Sequence, residues 1–150
     1  MSTTSGLETN GLDTQDRARC ATMSRWLGAS SVLGALALCC ATAIAIGYVL
    51  GAWRDATMGL ALLVLASTPV ERYLALRLRF DAGLFADLAD GRIADLAALD
   101  AGLAALGVRK TPLRPRTLDD RLAGSRRLWR FHAMVVVLMM VCTGAAVVFA

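Results

Sequence analysis

The chain has 150 residues, a net charge of +4, and a composition that is 57% hydrophobic but only 6% aromatic. It is long enough for one domain and too apolar for a soluble one, which points to membrane spans. Four cysteines (Cys20, Cys39, Cys40 and Cys142) lack paired spacing, so no disulfide framework is implied, and Lys110 is the lone lysine among 16 basic residues. That arginine bias, together with abundant Ala, Leu and Gly, suggests a GC-rich bacterial genome.

Residues 1–25 are polar and rich in Ser, Thr and Gly, and read as a disordered cytoplasmic tail. From Trp26 to Trp53 there is no charged residue. A helix of that length covers roughly 40 Å, a hydrocarbon core plus both interfaces, and the two tryptophans suit the interfacial level at either end. Arg54 and Asp55 separate this first span from the uncharged run 56–70, only about 22 Å of helix. Thr68-Pro69-Val70-Glu71 then offers an N-cap, a proline at the first helical position and a glutamate at the third, the capping-box arrangement. The spacing predicts a kink or short break at 67–69. The alternative is a helix that continues through a Pro69 kink, with the span extending to 76.

Beyond it, Val70, Tyr73, Leu74, Phe80, Leu84, Phe85 and Leu88 form an apolar arc, with Arg77 and Asp81 placed to pair at i, i+4. After Asp90-Gly91 a second amphipathic segment carries Ile93, Leu96, Leu99, Leu103 and Leu106, and Gly107-Val108 supplies a helix stop. The basic stretch 109–116 contains two prolines and reads as a linker. Thr117-Leu118-Asp119-Asp120 opens a helix able to run without interruption into twenty uncharged residues, 131–150. The expected architecture is therefore all-α. It has a transmembrane hairpin over 26–70, a cytoplasmic helical segment over 71–127, and a third transmembrane helix over 128–150. Arginines flank the spans on the side of the N-terminus and of the 71–127 segment, whereas the hairpin tip has Arg54 alone. The positive-inside bias places the C-terminus outside an inner membrane. Trp26, Trp53, Trp129, Arg72, Arg126, Arg127 and Arg130 are the expected interface anchors.

Function is less legible. The first span has a small residue at every fourth position (Ser31, Ala35, Cys39, Ala43, Gly47, Gly51), and the last has Cys142, Ala146 and Ala150. Close backbone approach through small residues favours helix association in lipid, so the first and third spans are expected to pack in parallel along these rows, with Cys39 and Cys142 at similar depth. Cys39-Cys40 point about 100° apart with no His, Asp or Glu at their depth, which argues against a metal or redox site. His132, the only histidine, sits beside Trp129 and Arg130 and reads as an anchor without a carboxylate partner. The stretch 90–107 resembles the motif of CDP-alcohol phosphotransferases at Asp90, Gly91 and Ala94. Asp95 stands where that family has arginine and Ala104 where it has glycine, so the metal-binding set is incomplete and the acidic residues read as a solvated helix face. No cofactor, metal or nucleic-acid partner is implied. The expected partners are the bilayer, anionic headgroups, and other membrane helices or a second copy. The expected function is a non-catalytic accessory or interaction role. A transport or channel component, with an oligomeric path past Ser30, Thr42 and Thr143, is the alternative, and a membrane enzyme ranks third.

Overall fold

A computed structural model describes residues 12–53, 55–105, 107 and 116–150. The elements are α1 (Thr14–Gly28), α2 (Ser30–Val49), α3 (Asp55–Ala89), α4 (Leu96–Ala105) and α5 (Leu118–Val148), with no strand among the described residues. Three rods are long and apolar enough to cross a membrane: α1 with α2, then α3, then α5.

Much of the expected disordered tail is helical. Asp13 caps α1 by accepting from the Asp16 amide at 2.6 Å, and Cys20, Met23 and Leu27 are buried; residues 1–11 lie outside the described residues. The apolar face escapes notice because it is made of a cysteine and a methionine among arginines. It continues into α2 as Ser30, Gly34, Ala37, Ala41 and Ile44, in alternating steps of three and four, the spacing of a left-handed bundle seam. Ala29 stays in the right-handed region at the junction, with φ −61 and ψ −18.

α2 ends in a Schellman motif. Gly51 adopts φ 66, the Ala52 amide reaches Gly47 O at 2.9 Å, and the Gly51 amide reaches Tyr48 O at 3.1 Å. Trp53 then folds back, donating from Nε1 to Ile44 O at 3.0 Å with its ring against Gly47. A Cβ on Gly47 would lie 2.3 Å from that ring.

α3 is one continuous helix across Pro69, so the expected break at 67–69 and the Thr68 cap are both absent. Pro69 cannot donate to the carbonyl one turn back. Its neighbours bind carbonyls in the same turn instead: Ser67 Oγ donates to Leu63 O at 2.7 Å and Thr68 Oγ1 to Val64 O at 3.0 Å. The boundary expected between a span ending at 70 and a separate segment from 71 therefore falls inside a single rod. α3 stops at a second Schellman motif, with Gly91 at φ 74 and the Arg92 amide on Asp87 O at 3.0 Å. Asp95 caps α4 through the Ala98 amide at 2.7 Å. Leu106, Val108 and the 109–115 part of the linker lie outside the described residues. α5 opens with the expected cap, a reciprocal Thr117–Asp120 box, and runs unbroken for 31 residues.

Two apolar cores result. At the α1 end, Cys20, Met23 and Leu27 meet Leu78, Phe85 and Leu88 of α3, Leu99 and Leu103 of α4, and Leu118 and Leu122 of α5. The α3 arc is thus covered in part by α1, α4 and α5, while Val70 and Tyr73 stay exposed. At the other end, Ala37, Ala41 and Ile44 meet Ala61, Val64, Val136, Met139, Cys142 and Ala146.

Candidate functional site

Between these cores the seams carry something other than hydrocarbon. On α3 the buried positions run Thr57, Ala61, Val64, Glu71, Leu74, Leu78; on α5 they run Leu118, Leu122, Ser125, His132, Val136, Met139. Glu71 and His132 occupy core positions of facing helices, and both side chains are 0% exposed. His132 Nε2 lies 2.9 Å from Glu71 Oε1. Arg72 Nε donates to Glu71 Oε2 at 2.5 Å, and its Nη2 reaches the Gly34 carbonyl of α2 at 2.5 Å. One carboxylate is therefore shared by an imidazole from α5 and a guanidinium from its own helix, and that guanidinium is tied to α2.

The α2 backbone passes close to both groups: a Cβ at Gly34 would sit 3.4 Å from Arg72 Nη2 and 3.6 Å from Glu71 Oε1, in ordinary van der Waals contact. Ser30, also buried, lies one turn away on the same face. One turn toward the α1 core, Trp129 stacks on Trp26 with ring centroids 4.5 Å apart. Because Trp129 precedes His132 by three residues, the charged layer is about 5 Å deeper than the tryptophan level.

The electrostatics follow from burial. A carboxylate removed from water needs a partner, and losing one member of such a pair costs about 3–5 kcal/mol. Glu71 has two partners, and they differ: His132 is fully enclosed, whereas the Arg72 side chain is 44% exposed. With the carboxylate also accepting from Arg72, the imidazole is the donor through Nε2–H. His132 Nδ1 is buried with no hydrogen-bond partner among the described residues. This arrangement can hold a proton or exchange one. Among the described residues no three His, Cys, Asp or Glu converge as a metal site would need.

The expectation that His132 lacks a carboxylate partner is thus overturned, because the uninterrupted α3 carries Glu71 into the bundle instead of into a helix cap. Arg72, expected among the interfacial anchors, binds Glu71 and the Gly34 carbonyl. Trp53, expected at the interface, covers Gly47. Trp26 is exposed and Trp129 half-buried in their stack, while Arg126, Arg127 and Arg130 are exposed on α5.

The small-residue rows are also placed differently. Ser31, Ala35, Cys39 and Ala43 face outward; Gly47 is occupied by Trp53 and Gly51 is a turn residue. Cys142 and Ala146 are in the core, and Ala150 is exposed past the end of α5. α2 does pack on α5 in parallel, but through the Ala37, Ala41, Ile44 seam. A strict four-residue row drifts about 40° per step around a straight helix and cannot stay on one contact line, whereas alternating threes and fours can. Cys39 therefore does not face Cys142. Ser30, Thr42 and Thr143 do not share a face either, being buried, exposed and half-buried.

Closer to the chain's N-terminal end, paired charges tie the helices. Arg121 meets Asp100 of α4 at 2.5 Å with both side chains largely buried, so Asp100 does not belong to a solvated face. Arg77 and Asp81 pair at 3.7 Å as expected, and Ser125 donates to Asp81 at 3.1 Å. Arg19 of α1 pairs with Asp119 of α5. No family model, curated protein or solved structure matches this chain.

Proposed function

We propose that this chain is a three-span integral protein of a bacterial inner membrane that acts without catalysis, as a small subunit or interaction protein. The observation that carries the reading is the outer surface of the rods. Val32, Leu38, Val49, Met134, Val141 and Val148 are all exposed on α2 and α5, facing away from the bundle. Contiguous apolar surface on that scale requires lipid or another helix to cover it. The arginine distribution supports a cytoplasmic N-terminus and α4, with the C-terminus outside, and Arg126, Arg127 and Arg130 lie where anionic headgroups would meet them. The outward row Ser31, Ala35, Cys39 and Ala43 is available to a second helix from a partner or another copy. Alkaline carbonate extraction tests insertion, with the protein expected in the pellet. Reporter fusions after Gly107 and at the C-terminus test orientation, with opposite signals expected. Cross-linking from native membranes tests for a partner.

A second reading, a component of a transporter or channel, is favoured by one specific feature. The Glu71–His132 pair lies on the apolar side of the Trp26–Trp129 stack, a depth at which ionisable residues are expensive and are retained for ion or proton handling. Ion flux through liposomes containing only this protein separates the two readings, with no flux expected for an accessory subunit.

A further inference from the structure

We propose that the charged layer is a proton-operated latch in which His132 and Arg72 compete for one carboxylate, and that protonating His132 releases Arg72 from α2. The inference rests on the geometry of the layer and goes beyond the accessory reading. Glu71 and Arg72 are the charged groups that α3 brings to it, and His132 is the titratable group from α5. α2, which has no charged residue, contributes the Gly34 carbonyl and the nearby Ser30 hydroxyl. The adjacent Arg25 of α1 and Arg130 of α5 are exposed.

As packed, Glu71 and Arg72 cancel and the neutral imidazole adds nothing. A proton taken up at His132 Nδ1 leaves the layer with two cations, one anion, and a buried N–H that has no acceptor. An uncompensated charge in a buried site is costly, so one cation must leave. His132 cannot, being wholly enclosed between the helices. Arg72 can, because nearly half of its side chain already reaches the surface of the bundle and its long stem lets the guanidinium snorkel along that surface toward the level of the Trp26–Trp129 stack. Its departure leaves an imidazolium–carboxylate pair, charge-neutral again, and removes the one side-chain hydrogen bond that joins Arg72 to Gly34. Acidification therefore loosens α2 from α3 at Gly34 while strengthening the grip of α3 on α5. The proton balance is simple: one proton enters from water, none leaves, and no bond beyond N–H is made.

His132 is the only histidine, so a 15N-imidazole spectrum of the reconstituted full-length chain reports this site alone. At high pH the spectrum should show Nε2–H with a bare Nδ1. Acidification should then convert the ring to its doubly protonated form in a single step. Arg72→Gln removes the competitor and should move that step to higher pH, while Glu71→Gln removes the attracting anion and should move it lower. Each shift should be about one pH unit or more, a tenfold change in proton affinity. Fluorescence from the Trp26–Trp129 stack, with Trp53→Phe to remove the third tryptophan, should change over the same step in the wild type and stay constant in Arg72→Gln. An imidazole that does not titrate, a neutral form carrying its proton on Nδ1, or variants that shift in the same direction would each overturn the latch. Circular dichroism on each variant identifies a helical fold retained, and the wild-type tautomer alone decides the proposal if a variant fails to fold.

Discussion

The two apolar cores are built from different side chains and held by different means. The core at the α1 end uses Leu, Phe and Met and is fenced by ion pairs between elements, Arg121–Asp100 and Arg19–Asp119. The other core uses Ala37, Ala41, Ala61 and Ala146, with no ion pair among its described members, and at its edge Trp53 folds back onto Gly47 of the helix it follows. On the proposed membrane reading, large side chains and charge pairs both contribute where water reaches the rim, and in lipid small residues let backbones approach while dispersion does the rest. The charged layer marks the boundary between the two regimes.

Substitutions sharpen that contrast. Glu71→Ala, which leaves His132 and Arg72 without their carboxylate, should cost the most, about 3–5 kcal/mol, measured by unfolding in mixed detergent and denaturant. Leu122→Ala in the large-residue core should cost about 2–5 kcal/mol by the same assay. Ala41→Leu in the small-residue core should do harm by overfilling instead, about 1–3 kcal/mol. If Ala41→Leu were neutral and Leu122→Ala were too, the two cores would not differ in the way described. Gly47→Val expels the Trp53 ring and should move Trp53 emission toward that of an exposed indole, again with about 1–3 kcal/mol lost. Thr117→Ala, at the exposed start of α5, should cost about 1 kcal/mol.

The sequence made the long apolar runs, the α5 cap, the stops at Gly91 and Gly107 and the Arg77–Asp81 pair visible, because each is a local signal. It misled at Thr68-Pro69-Val70-Glu71, where a capping pattern and a mid-helix proline look alike. Only tertiary contacts decide between them, and here Glu71 finds His132, distant in sequence. The signal that was present is the seam itself. Reading α3 and α5 in alternating steps of three and four puts a glutamate and the sole histidine on the buried line, the ionisable pair among mostly apolar positions. The every-fourth-residue row on α2 was the wrong period for the same reason. α1 was missed because Cys20 and Met23 make a quiet apolar face. Gly34 could not have been singled out, since its role depends on a guanidinium from another helix.

The most direct test is the distance between the Glu71 carboxyl carbon and His132 Nε2 in lipid bilayers, by dipolar recoupling in solid-state NMR. An unbroken α3 packed on α5 predicts a hydrogen-bonded separation of about 4 Å or less. A helix that breaks at Pro69, turning Glu71 back into a cap, would leave no measurable coupling between the two.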